Sequence, residues 1–142
     1  MSTITGKQIV YCARTYIGTP WHHAARTKGV AIDCAGLLVC VSHELGVPVV
    51  DQLDYSHLDE YELMTGTIEQ HCDKVTDGTL MPGDIIVFRG RRMYNHCAFY
   101  TGDGFIIHAY GTPGVERVVL TPFEGSWQSR VDSVYRYKGV TY

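Results

Sequence analysis

Apolar positions recur with a helical period in the first third of the chain and with a period of two in the last third. Over residues 6 to 17, Ile9, Val10, Ala13 and Ile17 fall on one side, which predicts a helix. "GTPWHHAARTKGVA" then breaks the pattern and predicts a loop. Leu37, Leu38, Val41 and Leu45 restore the helical stripe over residues 34 to 45, with Asp33 at the N-cap position and Gly46 and Pro48 as the stop signal. From Val47 to about Gly78 the chain is polar and weakly periodic. "SHLDEYELMTGTIEQHC" predicts one short helix there, and no function is assigned to it. From Met81 onward "GDIIVFRG", "NHCAFYTG", "GFIIHAYG", "GVERVVL" and "VDSVYRYKG" read as short strands bounded by turn residues. Helices first and strands second predict an α+β fold in which N-terminal helices pack on a meandering antiparallel sheet.

Composition narrows the class. With 142 residues the chain is expected to be one domain, able to bury about two thirds of its unfolded surface. Hydrophobic residues make up 45% and charged ones 19%, the balance of an ordinary globular protein. The net charge of -3 leaves no electrostatic footprint for nucleic acid or an anionic membrane. Arg89, Arg91 and Arg92 form one small basic cluster, read as a solvated loop. The N-terminal residues lack the apolar run of a signal peptide, and no stretch of 18 apolar residues occurs, so synthesis in the cytoplasm is expected. The cysteines, at 12, 34, 40, 72 and 97, are odd in number and not closely paired, which predicts free thiols in a reducing compartment.

One of these cysteines is singled out by its place. Cys34 falls in the first turn of the second predicted helix, on the face of the apolar stripe, where unpaired N–H groups and the macrodipole favour negative charge. A thiol there is expected to have a lowered pKa, and the thiolate is the reactive form. Most buried cysteines are inert filler, so a partner base is needed to make this one a nucleophile.

Two histidines supply a candidate base through a register argument. Alternation puts His96, Ala98 and Tyr100 on one face of their strand and Cys97, Phe99 and Thr101 on the other, while His108 shares a face with Ile106 and Tyr110. A two-residue turn at Asp103 and Gly104 would send the two imidazoles to opposite faces. A three-residue loop, Gly102 to Gly104, pairs Thr101 with Phe105 and Ala98 with His108, making His96 and His108 diagonal neighbours. Gly104 suits the left-handed position of such a loop, and this register is the one expected. One ring can then take the Cys34 proton while the other fixes its tautomer. Cys97, on the reverse face, is assigned to the core. Two imidazoles near a cysteine also suggest zinc, but ligand pairs such as C-x-x-C are missing, so neither metal nor cofactor is expected.

"YIGTPW", "IDCAGL", "PGDIIVF" and "NHCAFYTGDGFIIHA" occur in the order of the motifs of the NlpC-type cell-wall peptidases, papain-like cysteine hydrolases that the chain resembles over roughly residues 7 to 137. The twelve-residue step from His96 to His108 is that family's spacing. The resemblance implies a single NlpC-type domain over residues 1–142, with Cys34 as nucleophile, His96 as base and His108 as the orienting residue. It also implies that Asp33 binds the free amine of the L-Ala-γ-D-Glu end of the substrate and that Trp21 lines the same subsite. Trp21 stands in place of the usual Tyr, Ala35 in place of Ser at a substrate-binding position, and His22-His23 where many members have glycines. The implied reaction is hydrolysis of peptide or isopeptide bonds in peptidoglycan stem peptides, at the D-γ-glutamyl to diamino acid link. "GTPWHHAARTKGVAIDC" and "RVDSVYRYKG" resemble most the phage-encoded branch that accompanies tail assembly genes, which implies tail proteins as partners and carriage to the wall by the virion. The rival expectations are a papain-like acyltransferase or amidase, and a non-catalytic tail-tip protein that binds the wall.

Overall fold

The first helix, α1 (Gly6–Arg14), begins where Thr5 can cap it. The Thr5 hydroxyl accepts from the Gln8 N–H while the Gln8 side chain accepts from the Thr5 N–H, a reciprocal capping box. The computed structural model describes residues 3–51, 68–89 and 96–142. Ile9, Val10 and Ala13 are buried as the stripe predicts, but α1 ends three residues early. Ile17 lies beyond it, 42% exposed, because Thr15 caps the helix and residues 15 to 18 continue only as turns. The expected loop from 18 to 31 holds a small hairpin of β1 (Arg26–Thr27) and β2 (Ala31–Ile32), which its mixed polar sequence does not announce.

Helix α2 (Cys34–Glu44) follows at once, with Asp33 as its N-cap and with Gly46 after the C-cap Leu45, as expected. Leu37, Leu38 and Val41 are buried and Leu45 is half-buried, but Ala35, Gly36, Val39 and Ser42 are buried as well, so α2 is enclosed on nearly all sides and not along one stripe alone. Of the short helix expected within residues 56 to 72, residues 52–67 lie outside the described residues; residues 68–71 are helical, and β3 (Cys72–Lys74) starts directly after.

The five strands expected after Met81 all form: β4 (Ile85–Phe88), β5 (His96–Tyr100), β6 (Phe105–Tyr110), β7 (Arg117–Pro122) and β8 (Val131–Tyr137). A turn of helix, α3 (Ser126–Ser129), joins the last two. Strands β4 to β7 form a meander, but β8 leaves it and inserts between β3 and β4, giving the antiparallel order β3-β8-β4-β5-β6-β7. Asp84 and Arg136 help hold that insertion: the buried carboxylate takes both Nε and Nη2 of the guanidinium, at 2.8 and 2.7 Å.

Both faces of the sheet are covered. Ile85, Val87, Cys97, Phe99, Ile107 and Ala109 meet α1 and α2, which makes Cys97 a core residue as alternation requires. Ile86, Phe88, Ala98 and Ile106 point the other way, under Phe123, Trp127, Val131 and Val134. Each Ile or Leu fully buried this way contributes roughly 2 kcal/mol, so the sheet is rigid enough to hold the side chains of its inner strands β5 and β6 in place.

Candidate active site

The candidate residues lie at the start of α2, in the loop before it, at the first residue of β5 and in the middle of β6. Asp33 accepts from the Gly36 N–H at 2.7 Å, which fixes the first turn of α2 and with it the position of Cys34. Cys34 is buried, on the helix face turned to the sheet. Its carbonyl oxygen receives the Cys97 S–H at 3.4 Å, so the residue next to His96 touches the nucleophile candidate's own backbone. The loop lies directly on this turn. A Cβ at Gly36 would come within 2.5 Å of the Ala25 carbonyl oxygen, so the "CAG" of the sequence needs its glycine for close approach.

Asp33 does more than cap. Its second oxygen accepts from the Ala24 N–H at 2.7 Å, holding Ala24 at φ 59, a left-handed conformation unusual for a residue with a Cβ. Its first oxygen also takes Nη1 of Arg26 at 2.8 Å. Arg26 in turn donates to the Ala25 carbonyl and, through Nε, to both oxygens of Asp51 at 3.0 and 3.1 Å. The Asp33 carboxylate is 1% exposed and serves three donors of its own chain, which is not the open anionic subsite implied by the resemblance. Ala35 is buried too, so its methyl group packs inside. Trp21 is half-buried; its backbone pairs with Ile32 and Glu116, and its ring lies on Gly111, three residues past His108.

The histidine register is the one expected from a three-residue loop. Phe99 pairs with Ile107 and Tyr100 with Ile106, the Thr101 N–H donates to Phe105, and Gly104 has φ 94. His96 Nε2 and His108 Nδ1 consequently lie 2.7 Å apart. Beyond them, His108 Nε2 is 2.9 Å from the Thr121 hydroxyl on β7. The order His96, His108, Thr121 is therefore a continuous hydrogen-bonded row.

Aromatic rings enclose that row. His96 has Phe88, Tyr110 and Trp127 at centroid distances of 6.2, 5.6 and 5.9 Å, and His108 has Tyr110 and Trp127 at 5.1 and 4.9 Å. Arg130 sits over Trp127 at 5.3 Å. Burial is the main cause that pulls the His96 pKa well below its ordinary value, with His108 and the Arg130 charge adding to it. Burial alone brings His108 down to about 4. Both rings are thus kept neutral near pH 7, as a base must be to accept a proton.

Burial raises Cys12 to about 11 and Cys72 to about 12, and raises Cys40 as well. Arg26, Gly36, Thr121 and Trp127 were not read as site residues from the sequence. Only Gly36 left a signal there, inside the motif "IDCAGL".

Comparison with known proteins bears on the family and the fold. The model of the NlpC/P60 family matches residues 18–136. The chain is 26% identical over 136 residues to a gamma-DL-glutamyl hydrolase of Bacillus subtilis, covering 94% of this chain and 30% of that protein. It is 31% identical over 105 residues to a probable endopeptidase of Corynebacterium glutamicum, covering 74% and 43%. The chain thus spans less than half the length of either relative. A crystal structure of an NlpC/P60 family protein from Bacillus cereus superposes with a TM-score of 0.70 at 22% identity, over 96% of this chain and 41% of that one. Its likeness supports the papain-like α+β fold. The motif order, the helix-borne cysteine, the histidine row and the family match all agree: the chain belongs to the NlpC/P60 family.

Proposed function

We propose that the chain is a cysteine peptidase that hydrolyses peptidoglycan stem peptides at the D-γ-glutamyl to diamino acid bond. Cys34 is the nucleophile, His96 the base and His108 the orienting residue. The observation that carries this reading is the hydrogen-bonded row at the start of β5, whose next residue, Cys97, touches the Cys34 carbonyl. His96 is the first residue of its strand, on the sheet face of Phe88 and Ala98. The names of the relatives, a gamma-glutamyl hydrolase and an endopeptidase, support the bond class.

The hydrogen-bond directions follow from the role. His96 can take the Cys34 proton only if its Nδ1 carries none, so its Nε2–H donates to His108 Nδ1 and His108 Nε2–H donates to Thr121. Cys34 sulfur then attacks the scissile carbonyl, and the backbone N–H of Cys34 at the positive helix end stabilises the oxyanion. His96 returns the proton to the leaving amine as the C–N bond breaks, leaving a thioester. Water attacks the thioester carbonyl, loses its proton to His96, and the thiol is released with a new carboxyl group.

The likeness of "GTPWHHAARTKGVAIDC" and "RVDSVYRYKG" to the phage-encoded branch supports a chain that assembles with tail proteins and acts on the wall from outside. Finding the chain by mass spectrometry in purified phage tails is the expected outcome there. The chemical test is digestion of purified cell walls, with the products weighed by mass spectrometry. Wild type is expected to release stem fragments ending at the glutamyl residue, and Cys34→Ala to be slower by at least about 1,000-fold. Equal digestion by Cys34→Ala, or products carrying a new acyl acceptor instead of water, contradicts the reading.

A further inference from the structure

Beside the histidine row stands a cation whose role follows from the reaction proposed above, on which this inference rests. Arg130 caps the end of α3 and precedes β8. Two bonds stitch it to the end of β4: the Arg89 N–H donates to the Arg130 carbonyl at 2.8 Å, and Arg130 Nε donates to the Arg89 carbonyl at 3.1 Å. The guanidinium lies 5.3 Å from the Trp127 ring, and that ring lies 5.9 Å from His96. A bulge follows at once. Phe88 pairs with Val131 but Val87 with Ser133, which leaves Asp132 as an extra residue and bends β8 just after the arginine.

These contacts engage Nε and leave both terminal nitrogens of Arg130 without an acceptor among the described residues. No carboxylate among those residues pairs with it: Asp33 and Asp51 are held by Arg26, Glu44 by Lys28 and Asp84 by Arg136. Asp132 accepts from the Ser133 hydroxyl at 3.2 Å, and the other cation here, Arg89, sends Nη2 to the Ser129 carbonyl at 3.0 Å. A guanidinium fixed at Nε, with its two terminal nitrogens unspent, is the fork that grips a carboxylate through parallel bonds.

The two halves of the substrate part at different places. The acyl half becomes bonded to Cys34 at the start of α2, whereas the amine leaves with a proton from His96. Arg130 adjoins His96 through Trp127, so it lies on the side of the leaving amine. Its charge opposes the protonation that His96 undergoes in the reaction, and an anion bound to it offsets that opposition. We propose that Arg130 determines specificity by binding a free carboxylate of the diamino acid on the amine side of the scissile bond. That group is either the α-carboxylate of a diamino acid that ends the stem or the second carboxylate of diaminopimelate.

The test compares kcat/KM of the full chain on L-Ala-γ-D-Glu-diaminopimelate and on three mono-amides of it. The amide stands at the glutamyl α-carboxyl, the diaminopimelate α-carboxyl or the diaminopimelate distal carboxyl. Wild type is expected to cut the parent at least about ten-fold better than one of the two diaminopimelate amides, the scale of one charge-assisted hydrogen bond. The poor amide identifies the carboxylate that is bound. Arg130→Gln is expected to lower kcat/KM for the parent by about ten-fold, with part of the loss in kcat, and to leave that amide nearly unchanged; Arg130→Lys keeps part of the discrimination. Indifference of wild type to both diaminopimelate amides overturns the proposal. So does a discrimination that survives Arg130→Gln, or a loss equal for all four peptides, the mark of a residue that only supports Trp127. If Arg130→Gln does not fold, Arg130→Lys decides: a narrowed ratio supports the proposal and an unchanged one overturns it. Cleavage of all four peptides at equal rates leaves the proposed function standing without this inference, whereas cleavage of none ends both.

Discussion

The two halves of the site are built in opposite ways. Around the start of α2, charge is met by charge: Asp33, Arg26 and Asp51 form a continuous chain of ion pairs, and backbone N–H groups complete it. Around His96 and His108, charge is refused: Phe88, Tyr110 and Trp127 surround the rings, and the charge of Arg130 opposes protonation of His96. The contrast follows from the two tasks. A nucleophile seated on a helix end gains from a polar anchor that holds the helix start in place, whereas a base needs its neutral form and therefore a dry, apolar surround. Neither half would serve the other's role.

The most damaging way to break the histidine half is His96→Ala, which removes the base and leaves the ion-paired helix start untouched. Cleavage of defined muropeptides is expected to fall by about 100- to 10,000-fold while circular dichroism remains native-like. Retained activity would mean that the thiol works without the row.

Stability against pH sharpens the contrast. A buried His held neutral has a lowered folded-state pKa, so the unfolded chain binds more protons once the pH falls below the ordinary value of 6.5. The contribution is fully present above that pH and is lost as the pH falls from 6.5 to about 4, with His108 alone accounting for roughly 3 kcal/mol. Urea midpoints of wild type should drop across that window more steeply than those of His108→Gln, which cannot titrate. Parallel curves for the two proteins would contradict the dry environment.

Thr121→Val is the subtlest change. It removes the acceptor for His108 Nε2–H and lets the row adopt the tautomer in which His96 cannot accept a proton. A loss of about ten-fold in kcat is expected, with KM little changed and with Thr121→Ser restoring most of the rate. An unaffected kcat would show that His108 is oriented by its ring contacts instead.

What the sequence made legible was local. Asp33, Gly46 and Pro48 mark both ends of α2, and "TGDGF" encodes the loop length that puts His96 and His108 on one face. What it hid was long-range. Nothing in the alternation of "VDSVYRYKG" says that β8 returns to lie between β3 and β4, because period reports a face and not a neighbour. Trp127 reaches the histidines only because the β7 to β8 connection closes over the sheet. Arg26 finds Asp33 through a loop whose left-handed turn is made by Ala24, a residue type that gives no turn signal. The early end of α1 at Arg14 has a similar cause, since the cap at Thr15 stops the pattern before Ile17.

The most direct measurement of the pairing between the two halves is the rate of Cys34 alkylation by iodoacetamide at pH 7, read residue by residue by mass spectrometry. Cys34 is expected to react first, ahead of Cys12, Cys40 and Cys72, whose thiols are pushed up by burial. His96→Ala is expected to slow that reaction by at least about ten-fold. Labelling of another cysteine before Cys34, or a Cys34 rate indifferent to His96→Ala, would contradict a thiol and an imidazole acting together.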